Sequence, residues 1–491
     1  MRALFFASLP MTSQAVTWLV LDRPQGDLEG QLCRAIRERV RAGRLGAGEP
    51  LPSTRALALS LGIARSTVVQ AYERLRAEGY VETVRGSGTR VSTARPRPLA
   101  GAARGRAPAS AGKAPAESLP AAATPAPRAL PFQPGVPDLK SFPAAAWARC
   151  VGGRIKSLRI HDLGYGPVAG LPALRAAILA HASTARGVVA QADQVAVFPS
   201  AAAAIDTLAR VTLAPRADTA WIEDPGWPRA RALLLRAGAQ LVPVPCDDDG
   251  IDLSRAAGAG PRLIYVTPSH QCPTGVTMSL PRRLALLDAA QRHGAFIIED
   301  DYDSEFRYDA RPIAALQGID TGQRVAYVGT FSKTLAPGLR VAYAILPPEL
   351  VAACHADMAL RQGDVPIHIQ AGLADFLNDG HFRSHIRRMR GVYAERMHNL
   401  VRALTQHCGE WLEVADGGGG LKLAVRLRDH GVDDRRVVQA LAERGYGART
   451  FSEFCLAAPV PGLVFGIAQG TPARCEALAQ ALAAILRGAA Q

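Results

Sequence analysis

Residues 92 to 128 are mostly alanine, proline, glycine and arginine, with almost no large apolar side chain. Such a stretch cannot bury enough surface to offset the entropy of ordering itself. Its prolines keep it semi-extended. A chain of 491 residues cut by this segment must fold as separate bodies on either side, and single cores stop growing near ~250–300 residues in any case. The expected division is an N-terminal extension (1–26), a small domain (27–92), a linker (93–128) and a large domain (129–491). The linker carries Arg95, Arg97, Arg104, Arg106, Lys113 and Arg128, opposed by Glu117. These charges either decorate a plain spacer or add salt-sensitive affinity for a polyanion.

The net charge of +14 is uneven. Residues 1–130 hold 19 Lys and Arg against 9 Asp and Glu, leaving +4 for the rest. A basic N-terminal quarter fits a polyanionic partner, or a merely solvated basic face. The eight cysteines are scattered, without C-x-x-C pairs. That pattern excludes a disulfide framework or a zinc site and fits a reducing cytosol. The opening M-R-A-L-F-F-A-S-L-P is too short and too weakly charged for a signal peptide, and Met11 is an alternative start. No apolar run reaches the ~18 residues of a membrane span, so a cytoplasmic protein is expected.

In the small domain, Leu28, Leu32, Ile36 and Val40 recur every four residues. They mark one helix face over 27–43, with Asp27 as N-cap and Gly43 as stop. A second helix opens at Ser53, buries Leu57, Ala58 and Leu61, and stops at Gly62. A third runs from Ser66 to Glu78 with Val68, Val69, Tyr72 and Leu75 inward. Residues 80–84 and 89–91 then read as strands around R-G-S-G. Helix, tight turn, helix and hairpin make a winged helix-turn-helix. The run L-P-S-T-R-A-L-A-L-S-L-G-I-A-R-S-T-V-V-Q-A-Y-E-R-L-R-A-E-G-Y-V-E, followed by G-S-G-T-R-V, resembles the GntR family. The resemblance implies that Ser66 and Thr67 approach the major groove and that Arg65 meets bases or phosphate. It implies that Arg55 meets the backbone or a guanine, and that Gly86 and Gly88 let the wing lie close to the duplex. Solvated arginines are the plain alternative. Ala64 stands where the family usually has a capping Ser or Thr.

In the large domain, strand-like runs (195–198, 219–223, 240–244, 262–266, 295–299, 325–328, 341–346) alternate with helical stretches. The expected fold is α/β, a mostly parallel sheet with helices on both faces and a small C-terminal subdomain. Ligands bind such sheets at the C-terminal ends of strands. There, after 325–328, stands G-T-F-S-K-T-L-A-P-G-L-R (Gly329–Arg340). Lys333 sits among Thr330, Ser332 and Thr334, with Arg340 beyond a Pro-Gly turn. An amine of lowered pKa forms a Schiff base with an aldehyde, and hydroxyls with an arginine suit a phosphate. Together they suggest a lysine holding pyridoxal 5′-phosphate (PLP). Asp300 and Tyr302 follow the 295–299 strand. A buried carboxylate there can pair with a pyridinium nitrogen, and a phenol with the ring's O3′. Trp227 follows another strand and either stacks on the ring or packs in the core, while Arg229 can meet a ligand carboxylate. His270, in T-P-S-H-Q-C-P-T-G, is either a proton-transfer group or structural. At the start of the helix after 195–198, Ser200 and the backbone of Ala201 can hold phosphate.

The dodecamer resembles the cofactor-lysine segment of fold-type I, aspartate-aminotransferase-like PLP proteins. The whole of 131–490 resembles the effector domain of MocR/GabR-type regulators, in which a GntR winged helix is fused to an aminotransferase-like domain. The resemblance implies Lys333 in the Schiff base, Asp300 at the ring nitrogen, Tyr302 at O3′ and Trp227 in the stacking position. Thr330, Ser332 and Arg340 fall at phosphate-binding positions. Tyr165, in L-G-Y-G-P, falls where fold-type I dimers reach the phosphate across the interface, which implies a homodimer. Three departures stand out. P-S-A-A-A-A replaces the usual Gly and Gln after 195–198, no asparagine faces O3′ in S-H-Q-C-P-T-G, and Val464 stands where aminotransferases place the carboxylate arginine. Arg449 or Arg229 can substitute for that arginine.

The expected function is a DNA-binding transcriptional regulator whose PLP domain senses PLP or an amino compound and is not used as an enzyme. The alternative is an active aminotransferase with a DNA tether. A degenerate fold kept only for dimerisation sits poorly with an intact Lys333, Asp300 and Arg340.

Overall fold

The computed structural model describes residues 21–23, 26–84, 88–92, 130–214, 218–308, 313–415 and 418–489. Most of the expected N-terminal extension, both possible starts, the linker charges and Gly86 lie outside them. The chain divides into two bodies, on either side of Arg95 and Pro96.

The N-terminal body has three helices, α1 (Leu28–Arg41), α2 (Thr54–Leu61) and α3 (Arg65–Ala77), and a hairpin of β1 (Val81–Val84) and β2 (Gly88–Val91). Their ends follow the expected caps. The Asp27 side chain accepts from the Gly30 N–H, and the Ser53 side chain from the Ala56 N–H. Gly62 ends α2 in the left-handed region, where a side chain would be strained. Ala64 provides no side-chain cap to α3. Leu32, Ile36, Leu57, Val68 and Leu75 are each at most 1 % exposed and form the core. Glu78, just past α3, binds Arg37 of α1 through two 2.8 Å hydrogen bonds and Arg74 of α3 through one of 3.2 Å.

The second body runs through α4 (Ala144–Lys156), α5 (Pro172–Arg186), β3 (Val195–Phe198), α6 (Ala201–Thr212), β4 (Thr219–Asp224), α7 (Pro228–Arg236), β5 (Gln240–Asp247), β6 (Gly250–Ile251) and β7 (Leu263–Val266). It continues with α8 (Leu280–His293), β8 (Phe296–Asp301), β9 (Val325–Thr330), α9 (Phe331–Thr334), β10 (Ala342–Ile345), α10 (Pro348–Arg361), α11 (Ile367–Asn378) and α12 (His381–Cys408). The C-terminal part holds β11 (Leu412–Val414), β12 (Lys422–Leu427), α13 (Asp434–Glu443), β13 (Arg449–Thr450), β14 (Gly462–Gly466) and α14 (Pro472–Ala489).

All seven expected strands lie in one sheet of order β3-β10-β9-β8-β7-β4-β5-β6. Neighbours from β9 to β5 are parallel; β10 runs antiparallel to both β9 and β3, and β6 antiparallel to β5. Alternate residues serve opposite faces. Phe296 and Ile298 join Leu208 and Leu234 of α6 and α7, whereas Ile297 joins Leu286 of α8. The second sheet, β11-β12-β14-β13, is antiparallel throughout. The sequence reading marked β14 alone among its strands, and then only as the run around Val464. Among the described residues no helix is long and apolar enough to cross a membrane.

This topology gathers the C-terminal ends of β3, β4, β7, β8 and β9 along one edge of the sheet. A buried brace fixes the end of β8. Arg186, 1 % exposed, donates to Asp301 Oδ2 at 2.7 Å and to Ser269 Oγ at 2.5 Å, and Tyr327 donates to the same Asp301 oxygen at 2.6 Å.

Candidate functional site

A cavity of about 340 Å³ opens at this edge. It is lined by Lys333, Asp300, Tyr302, Trp227, Thr330, Ser332, Arg340, Ser200, Ala201, Arg229 and Arg449, so eleven of the expected site residues are brought together. Tyr165 is not among them; its side chain is 96 % exposed.

Lys333 projects from the short α9 that follows β9. Its Nζ donates to the Gly135 carbonyl at 2.5 Å. Gly135 has φ +96°, a backbone that side chains rarely adopt, and presents that carbonyl to the amine. Burial, and then the nearby Lys422 ammonium, hold the Lys333 amine below its usual range.

Asp300, at the C-terminal end of β8, is 4 % exposed. Its Oδ2 accepts from Tyr265 Oη at 2.6 Å. Its Oδ1 is buried and has no hydrogen-bond partner among the described residues. Burial pushes the carboxyl up to about 6, against the lowering effect of the Tyr265 bond. A buried carboxylate oxygen without a donor is costly, and Asp300 lines the same cavity as the Lys333 amine. A ring N–H donor facing Oδ1 would remove that cost. The residues therefore fit a pyridine cofactor.

The phosphate end also fits. Ala201 and Ala202 open α6, where the first N–H groups have no intrahelical acceptor. Ser200 accepts from the Ala203 N–H, and Thr330 from the Ser332 N–H, which leaves both hydroxyl protons free to donate. Arg340 stands exposed beside them in the left-handed region, at φ +53°.

Three expected residues differ in detail. The Tyr302 hydroxyl, expected at O3′, donates to the His270 carbonyl at 2.6 Å. His270 does not line this cavity; its Nδ1 lies 3.0 Å from Asp303 Oδ1, so it braces Asp303 and Tyr302. Arg449 lines the cavity but is ion-paired with Glu453 and stacked 4.8 Å from the Phe454 ring. Trp227 lines the cavity and packs on the cluster of Cys272, Phe451, Phe454 and Val464. Val464 is fully buried there.

The sequence reading missed Tyr265, Asp303 and Lys422. Tyr265 lay inside an expected strand without any mark of a role. Lys422 was detectable only as the single charge in the apolar start of β12.

In the N-terminal body, Arg55, Arg65 and Ser66 are exposed, Thr67 is half-buried, and Arg65 Nε lies 3.5 Å from Thr54 Oγ1. At Gly88 (φ +81°) a Cβ would meet nothing within 4 Å, so the turn geometry and not crowding calls for glycine there.

Comparison with known proteins agrees with this two-body plan. Residues 28–91 match the bacterial regulatory proteins of the gntR family, and residues 160–482 match aminotransferase class I and II. The chain is 40 % identical over 456 residues to the probable rhizopine catabolism regulatory protein MocR of Rhizobium meliloti, covering 92 % of each. It is 35 % identical to the HTH-type transcriptional regulator TauR of Rhodobacter capsulatus, covering 83 % of this chain and 88 % of that one. It is 31 % identical to the HTH-type pyridoxine biosynthesis transcriptional regulator PdxR of Corynebacterium glutamicum, covering 89 % and 91 %. The α-aminoadipate aminotransferase LysN of Thermus thermophilus shares the fold of the second body, with TM-score 0.67 at 24 % identity over 74 % of this chain and 92 % of that one. The chain therefore belongs to the MocR-type GntR family of transcriptional regulators, a winged helix-turn-helix joined to an aminotransferase-like domain.

Proposed function

We propose that the cavity holds PLP on Lys333, and that PLP or an amine effector bound there changes how the winged helices hold operator DNA. The observation that carries this reading is the buried Oδ1 of Asp300, without a partner among the described residues, in one cavity with a lysine amine whose pKa is lowered. When bound, the cofactor would supply an electrophilic carbon for amines and an electron-accepting ring. The protein's part is binding and orientation. Lys333 presents an amine whose pKa burial and then Lys422 lower. Asp300 Oδ1 accepts from the ring nitrogen, with Tyr265 fixing the carboxylate plane. The start of α6, Thr330, Ser332 and Arg340 take the phosphate, and Trp227 covers a ring face.

Exposed Ile160, Leu163 and Tyr165 (89, 73 and 96 %) form an apolar run that a second copy would cover, which supports a homodimer. The same pairing would bring Tyr165 to the partner's phosphate site. Two winged helices then meet a two-fold operator in the cytoplasm. Control requires that the ligand bind one arrangement of the dimer better than the other.

The test is operator binding by apo protein on its own upstream DNA, titrated with PLP at fixed salt. A shift in affinity or footprint with PLP alone marks a cofactor sensor. Uptake without a shift means that an amine effector is also required. A response that survives Lys333→Ala overturns the reading.

A further inference from the structure

We infer that Lys422 is the anion-reading group of this cavity, so that its effector is an amine carrying a carboxylate or similar small anion. The inference rests on the reading of Lys333 as the cofactor lysine.

Lys422 opens β12 and reaches the cavity wall, with its Nζ 3.1 Å from Cys272 Sγ and 4.3 Å from the centroid of the Tyr302 ring. A thiol is a weak acceptor and a ring face a diffuse one. No carboxylate among the described residues pairs with this ammonium, although two acids line the same cavity. Asp303 is engaged by His270 Nδ1 at 3.0 Å and by the Leu421 N–H at 2.9 Å. Asp300 is engaged by Tyr265 through Oδ2, and its Oδ1 has no hydrogen-bond partner among the described residues. An ammonium with unused donors inside a cavity calls for an anionic acceptor from the ligand.

The other cations are placed differently. Arg449 is held by Glu453 and the Phe454 ring. Arg229 and Arg340 are exposed. Phe454 lines the cavity from the apolar cluster that also holds Ala424, Phe451 and Val464, and this cluster provides no side-chain donor for an anion. The chain uses lysine at only 5 of its 57 basic positions, yet two of the five, Lys333 and Lys422, share this cavity. An anion bound at Lys422 also relieves the repulsion between the two. A short amino acid, its amine directed to the cofactor that Lys333 would hold and its carboxylate to Lys422, fits this arrangement.

The experiment loads the full chain with PLP, records its absorbance to confirm uptake, and then measures binding of matched probe pairs by calorimetry. The pairs are L-alanine with ethylamine and 4-aminobutanoate with n-propylamine. At least one acid is expected to bind about 10- to 100-fold more tightly than its amine, the range of a charge-assisted hydrogen bond. Lys422→Met is expected to remove that preference while still taking up PLP, and Lys422→Arg to restore much of it. Equal affinities within every pair, or a preference that survives Lys422→Met, overturn the inference alone. A wild-type chain that takes up no PLP overturns the Lys333 reading and this inference with it.

Discussion

Tyr265 and Asp300, on the adjacent strands β7 and β8, are joined by a 2.6 Å hydrogen bond that occupies one carboxylate oxygen and leaves the other buried without a partner among the described residues. The pairing fixes the direction of the free oxygen before any ligand arrives. It also makes the cofactor-free protein store an unfavourable group in its cavity, a usual cost of a pre-organised site.

That cost is measurable. The folded Asp300 carboxyl is raised to about 6 from the 3.8 of a free side chain. A raised acid favours the folded state while protonated, so its contribution is full below the unfolded pKa and is lost as pH rises through about 6. Asp300→Asn is expected to stabilise the apo protein at pH 8 relative to wild type, by up to about 3 kcal/mol. The same change is expected to abolish the extra stability gained on adding PLP. Thermal unfolding at pH 5 and pH 8, with and without PLP, checks both halves.

The Lys333 amine is lowered by burial and by the Lys422 charge. Removing the second charge in Lys422→Met raises it. The pH midpoint for PLP uptake, followed by absorbance, is expected to move upward in this variant, with slower uptake at neutral pH. An unmoved midpoint means that the two amines are not coupled.

Arg37 and Glu78 are 4 and 3 % exposed at their side chains and clamp α1 to the end of α3. Arg37→Met removes the bidentate partner of a buried carboxylate, and breaking such a pair typically costs about 3–5 kcal/mol. Operator binding of the full chain is expected to fail at a temperature where the second body is still folded. Circular dichroism and cofactor absorbance on one sample separate the two transitions.

α3 begins without a side-chain cap. Ala64→Ser is expected to stabilise the N-terminal body by about 0.5–2 kcal/mol, and Ser53→Ala at the start of α2 to destabilise it by a similar amount. Arg65→Ala is expected to weaken operator binding and to reduce the salt slope by about one, because one phosphate contact is lost. Equal slopes for wild type and variant would place Arg65 away from the backbone.

The sequence by itself determined the elements and the chemistry they carry. Leu32, Ile36, Val68 and Leu75 mark helix faces by their spacing, Asp27 and Ser53 mark starts, and the apolar runs mark the seven strands. These signals are local, set by backbone periodicity and by hydrogen bonds spanning a few residues. Lys333 and Asp300 were legible for a related reason, since each lies at or just beyond the C-terminal end of a strand, where a ligand edge is expected. The tertiary structure alone decided which distant groups complete the site. The Gly135 carbonyl meets Lys333 across 198 residues, and Lys422 meets Cys272 across 150. The turning of Tyr302 toward His270 and the pairing of Arg449 with Glu453 were equally hidden. Such encounters depend on strand order and on the packing of the second sheet over the edge of the first. No local pattern of residues encodes either, because both follow from how the buried faces of whole elements fit together.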